Sequence, residues 1–380
     1  MDLRKILSAV FTSITLISIM TLSGCGEGSK VEEYKIAVAA PLTGDIATLG
    51  QGIKRGVILA YIEMTNTYTN AKISLEYFDD RANEGEAVNV AEKIASDNRI
   101  IGVVGHLNSG CSIPASAVYN KRNLPMITPA STNPKLTLQG FKNVFRVCPT
   151  DAQQGPIAAK FLVKKNIKKI YIIDDKTEYG QGLADEFEKE FRRLGGIVLG
   201  RDSITVGSRN FKALLTKIKQ TKPEAVFFGG VYVEGALLTK QADEVGLNVP
   251  FVGGDGLKTD EYIKIGGSFT EGDIVTFIGK PIEEESEFYK KYKSLFPKDE
   301  IGPFDFNSYI SAKILFSALT NLLAEKGTYN RELANEFIRK TEFKEDMFTV
   351  KFDTKGDNIN SVFTIYIVEN SKFKVIEIIE

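Results

Sequence analysis

The chain alternates between two kinds of pattern, and it does so in two successive series. Apolar, β-branched runs at 35–40, 73–79, 101–104 and 125–127 read as strands. Between them, 52–64 and 86–96 carry apolar residues at helical spacing. After a short run at 144–147 the alternation restarts, with strands at 169–173, 197–204, 225–229 and 250–252. Helical patterns at 154–164, 181–194, 211–219 and 234–245 fill the gaps. Strands joined through helices pair in parallel, and a parallel sheet needs helices on both faces. The expected class is α/β, with two doubly wound parallel-sheet lobes. The tail is less regular. It reads as helices at 284–295, 306–324 and 331–340, then β-rich stretches at 348–352, 362–369 and 373–378. Asp353-Thr354-Lys355-Gly356 supplies turn chemistry between the first two of these stretches.

The front end points to export. Arg4 and Lys5 precede an apolar run at 6–20, followed by Leu22-Ser23-Gly24-Cys25. A basic start, an apolar core short of a comfortable span and small residues at its end describe a secretory signal. The competing reading is an uncleaved membrane anchor. The cysteine after Leu-Ser-Gly resembles a bacterial lipobox, in which it is lipidated and becomes the new N-terminus. On that reading residues 1–24 form a lipoprotein signal peptide. Acyl chains on Cys25 would hold the protein on the membrane surface, and residues 25–33 would be a tether. No later segment has the length and apolarity of a span. The 48 Lys+Arg and 49 Asp+Glu give no electrostatic footprint for nucleic acid. Of three cysteines, Cys111 and Cys148 remain beyond Cys25. Outside the cytoplasm they are a possible disulfide, or else two buried thiols.

The stretch at 102–134, GVVGHLNSGCSIPASAVYNKRNLPMITPASTNP, holds two hydroxyl-bearing loops, GHLNSG and TPAST. Each follows a short apolar strand. Ligands of open parallel sheets sit beyond the carboxyl ends of strands, so Ser109 and Thr132 are expected at one shared edge. Backbone N–H groups at a helix start there would suit a carboxylate.

This segment is similar to the α-amino-acid-binding edge of the branched-chain amino acid binding proteins, the type I periplasmic solute receptors of ABC transporters. The resemblance continues through FRVCPTDAQQG at 145–155, DDKTEYGQGLA at 174–184 and FVGGDG at 251–256. It implies a clamshell of two lobes joined by a three-strand hinge, crossed near 147–150, 276–279 and 356–360. Lobe 1 would hold 34–148 plus 279–357, and lobe 2 would hold 149–278 plus 358–380. It implies a binding protein rather than an enzyme, without cofactor or metal. The expected state is a monomer, with a small-molecule amino acid and an ABC permease as partners.

A buried zwitterion carries two charges that must each find partners. By resemblance, Ser109, Ala130 and Thr132 hold the ligand backbone from lobe 1, and Tyr179 and Asp255 hold it from lobe 2. Ser109 and Thr132 offer donors to the carboxylate. Asp255, with the Ala130 carbonyl, would accept from the ammonium. Branched-chain receptors often have Glu where Asp255 stands. Leu49 and Val231 replace aromatic residues of those receptors, although Tyr232 is adjacent, and Phe304 matches a position that can touch the ligand side chain. Together they make an apolar wall suited to an aliphatic amino acid. Taken alone, Ser109 or Thr132 is better explained by helix capping and turn formation, and it is their placement with Tyr179 and Asp255 at the family's spacing that favours the ligand role; core packing is the competing reading of Tyr179 and Phe304.

Two rival functions carry different demands. A clamshell sensing amides, urea or small carboxylates would not need Asp255. A Cys-dependent hydrolase would pair Cys111 with His106, the single histidine, but needs an orienting group and an oxyanion pocket that no motif supplies. Gly50-Gln51-Gly52 with Gly56 departs from dinucleotide-loop spacing. No clustered His and Cys residues point to a metal.

Overall fold

The computed structural model describes residues 32–67, 71–346 and 348–380. The leader and Cys25 therefore lie outside the described residues. The first sheet is built from β1 (Glu33–Ala40), β2 (Lys72–Asp79), β3 (Ile100–Gly105), β4 (Met126–Thr128) and β5 (Val144–Arg146). Their order is β2-β1-β3-β4-β5, with every pairing parallel. Helices α1 (Ala47–Thr67), α2 (Glu84–Ser96), α3 (Ser109–Asn120) and α4 (Lys135–Leu138) connect these strands.

The second sheet follows α5 (Asp151–Lys164). It contains β6 (Lys169–Asp174), β7 (Ile197–Ser203), β8 (Ala225–Gly229), β9 (Phe251–Gly253) and β10 (Ile274–Phe277). Between them lie α6 (Glu178–Arg193), α7 (Lys212–Thr221), α8 (Tyr232–Glu244) and α9 (Asp260–Gly266). The chain then returns to the first lobe for α10 (Glu287–Leu295), α11 (Asp305–Lys326), α12 (Arg331–Lys340) and a hairpin of β11 (Phe343–Glu345) and β12 (Phe348–Val350). It ends in the second lobe with β13 (Phe363–Glu369) and β14 (Lys372–Ile379), giving the order β14-β13-β10-β9-β8-β6-β7.

The strands β3, β4, β5, β8, β9 and β10 are buried along their whole length, as expected of strands covered on both faces. Helix α6 turns Leu183, Ala184, Phe187 and Phe191 inward, and Phe187 stacks on Phe227 of β8 with ring centroids 3.7 Å apart. Thr177 caps that helix by accepting from Gly180 N. Helices α1 and α11 approach closely because Gly56 has no side chain. A Cβ there would lie 2.0 Å from the Asp305 carbonyl oxygen.

Two features of the second sheet depart from the sequence reading. The strand β10 was not expected, yet it sits in mid-sheet between β9 and β13. The sheet is also mixed, because β13 and β14 add antiparallel. They arrive from the other lobe rather than through a crossover helix, so the parallel constraint no longer applies.

The chain passes between the sheets after β5, after β10 and after β12. The first and third passages bond to each other. Arg146 N donates to Gly356 O, Asn358 N donates to Arg146 O, and the Asn358 amide donates to Val147 O. Arg146 is fully buried there. Its Nε donates to Asp357 Oδ1 at 2.9 Å, one terminal nitrogen donates to the carbonyls of Ser131 and Asn133, and the other to Thr137 Oγ1. One guanidinium thus ties the loop containing Thr132 to the hinge.

Candidate ligand-binding cleft

The loops after β3 and β4 are stitched together before they meet any ligand. Thr128 Oγ1 donates to His106 O, and Ser131 Oγ donates to Leu107 O. Asn133 N donates to Ser109 Oγ at 3.2 Å. These bonds fix Ser109 at the first turn of α3, where backbone N–H groups have no partner within the helix. On the opposite lobe, Asp255 opens a short 3-10 turn after β9, and Tyr179 lies in the first turn of α6. Tyr179 Oη donates to Asp255 Oδ1 at 3.1 Å and accepts from Gly256 N at 3.0 Å. Glycine is required around Asp255, because a Cβ on Gly254 would lie 2.7 Å from Tyr179 Oη.

Leu49, Ser109, Ala130, Tyr179, Val231, Asp255 and Phe304 all line one cavity between the lobes. Thr132 does not line it directly. It is buried within the loop after β4, and its Oγ1 has no hydrogen-bond partner. Leu107, Asn108 and Gly256 also line the cavity and were not foreseen. Asn108 precedes α3 without its side chain capping that helix, and its Oδ1 is buried without a partner. The cavity measures about 20 Å³, near the space of a single water. A solute larger than water does not fit while the lobes stay this close. Across the shut seam, Lys135 pairs with Glu178 at 2.7 Å, Arg209 pairs with Asp45 at 2.8 Å, and Tyr232 Oη donates to Asp45 O.

The electrostatics of the cleft favour a cation. Burial pushes the Asp255 carboxyl up to about 6, although Gln154 and Tyr179 partly hold it down. Asp151, the first residue of α5, is fully buried, and neither carboxylate oxygen has a hydrogen-bond partner. Burial pushes its carboxyl well up. The charge of Asp255 adds to this. Burial also raises the Tyr179 hydroxyl, keeping it a donor. Asp151 and Gln154 stand in the DAQQG segment, but nothing local marks them as neighbours of Asp255.

The catalytic pair considered from sequence is not assembled. His106 bonds Asp80 Oδ2 through Nδ1 at 2.7 Å and Tyr119 Oη through Nε2 at 3.0 Å. Cys111 and Cys148 are both buried free thiols, so the possible disulfide is corrected. Burial raises both thiols, and Cys148 Sγ instead donates to Ser131 O. Among the described residues no group of His, Cys, Asp and Glu could hold a metal, and no helix is long and apolar enough to cross a membrane.

The profile of the periplasmic binding protein family matches residues 33–372. The chain belongs to that family. This periplasmic binding protein is 33% identical over 364 residues to Leu/Ile/Val-binding protein homolog 2 of Brucella abortus (strain 2308), covering 94% of this chain and 95% of the relative. It is 31% identical to the leucine-, isoleucine-, valine-, threonine- and alanine-binding protein of Pseudomonas aeruginosa, over 92% of this chain and 94% of that one. Its fold superposes on a leucine-binding protein, LivK, of Thermotoga maritima MSB8 with a TM-score of 0.82 and 30% identity, covering 91% of this chain and 98% of that one.

Proposed function

We propose that this periplasmic binding protein captures an aliphatic amino acid between lobe 1 (34–148 plus 279–357) and lobe 2 (149–278 plus 358–380) and hands it to an ABC permease. The supporting observation is the pairing of opposite demands across one cavity. Ser109 and the start of α3 offer donors from one lobe, while Asp255, held by Tyr179, offers a buried acceptor from the other. The carboxylate is received at Ser109 and Thr132, and the ammonium at Asp255 and the Ala130 carbonyl. Leu49, Val231 and Phe304 enclose the side chain. Binding energy shared by both lobes favours the shut state, which a permease can distinguish from the open one. No bond is made or broken in the ligand. The protein acts outside the cytoplasm, anchored through lipid on Cys25 and working as a monomer.

Isothermal titration of ligand-free protein against the common L-amino acids tests this reading. Leucine, isoleucine or valine should bind, and 4-methylpentanoate, which is leucine without its ammonium, should bind far more weakly. Equal binding of leucine and 4-methylpentanoate would favour the small-carboxylate sensor instead.

A further inference from the structure

Beside the amino-acid cavity the lobes enclose a second cleft of about 250 Å³, and the two share no lining residue. Phe277 and Tyr366 wall it from one lobe, Phe306 and Phe348 from the other, and the passage after β10 forms its floor. Its charged lining residues are Lys258, Lys280 and Glu300. Lys280 is paired with Glu380, and Glu300 with Lys293. Lys258 differs. Among the described residues its Nζ has neither an ion pair nor a hydrogen bond, and it lies over the rings of Phe373, Tyr366 and Phe277 at 4.5, 4.7 and 5.9 Å. Burial lowers its ammonium to about 8, with the nearby Asp260 charge only partly opposing. Ring faces attract a cation but offer its N–H donors no acceptor, so the Nζ of this half-buried lysine is left to water. The cleft therefore presents a lysine ammonium that no described residue hydrogen-bonds, set against aromatic rings.

We propose that this cleft is a second ligand site, taking a small monocarboxylate with an apolar or aromatic body. The carboxylate accepts from Lys258 Nζ, and the body lies against Phe277, Phe348 and Tyr366. Phosphate or sulfate suits the cleft less well, because the apolar walls would strip water from oxygens that Lys258 cannot reach. An occupant touching both lobes binds the shut form in preference to the open one, and so reinforces closure.

Phenylacetate serves as the probe, titrated calorimetrically into the purified protein with and without saturating leucine. It should bind in both conditions. Lys258→Gln should weaken it by about tenfold or more, and Lys258→Arg should stay within about threefold of the parent. Absence of binding overturns the proposal, as does binding that leucine abolishes and Lys258→Gln leaves unchanged. Should Lys258→Gln fail to fold, a crystal of the parent protein with phenylacetate decides. A carboxylate at hydrogen-bonding distance from Lys258 supports the site, and occupancy confined to the amino-acid cavity overturns it. The Lys258 comparisons stand whether or not leucine binds, so this proposal and the amino-acid reading fail separately.

Discussion

Asp255→Asn should make the unliganded protein more stable while removing its response to amino acids. A carboxyl held at about 6 instead of its ordinary 3.8 is one whose charge the fold disfavours. The native state then binds the proton more tightly than the unfolded chain does. Stability therefore falls as pH rises through the window from about 4 to about 6, and stays lowered above it. The cost at neutral pH is about 3 kcal/mol at most. An amide avoids that cost but accepts less strongly from Tyr179, so a net gain of about 1–3 kcal/mol is expected. In a chain of this size that raises Tm by on the order of 1–4 °C. Leucine binding should meanwhile weaken by at least about a hundredfold, because a buried ammonium would lose its countercharge. Scanning calorimetry from pH 4 to pH 8, with and without leucine, reads both effects. The two proteins should nearly coincide at pH 4 and separate by pH 7, and leucine should raise Tm only in the parent. An Asp255→Asn protein that is less stable at pH 7 and still stabilised by leucine refutes the reasoning.

Other substitutions separate positioning from contact. Thr132→Val replaces an unpartnered buried hydroxyl by a methyl group, so Tm should hold while titration shows leucine affinity falling about tenfold. Arg146→Met removes the guanidinium from the Asp357 carboxylate and from the carbonyls of Ser131 and Asn133, leaving Asp357 with Thr137 and a distant Lys355 and Ser131 O with the weak Cys148 donor. Urea unfolding should show a loss of about 3–5 kcal/mol, and affinity should fall as well because the Thr132 loop is released. Phe304→Ala should narrow the preference for leucine over alanine by about 1–3 kcal/mol in parallel titrations. Cys111 and Cys148, buried with raised thiols, should react with a maleimide only slowly until urea unfolds the chain.

What could be read from the sequence was what is local. Ser109, Tyr179 and Asp255 stand just beyond strand ends, within short loops where composition already announces a turn. A parallel sheet sends such loops to one edge, so strand order places Tyr179 and Asp255 together on one lobe, while Ser109 meets them only across the cleft between two sheets. The role of Arg146 could not be read this way, because its partner Asp357 lies 211 residues away. The burial of Asp151 and Gln154 beside Asp255 depends likewise on how two lobes meet. The strand β10 was missed because an isolated run of four residues carries little periodicity. The antiparallel end of the second sheet follows from a chain that leaves the lobe and comes back. Cysteine spacing left the pairing of Cys111 and Cys148 open, since a disulfide needs a specific approach that spacing does not encode.

A crystal structure of the protein with leucine tests the central claim most directly. The account predicts a shut cleft with the leucine carboxylate on Ser109 and the Thr132 loop and its ammonium within hydrogen-bonding distance of Asp255. Leucine bound with its ammonium turned away from Asp255, or held by one lobe alone, would contradict it.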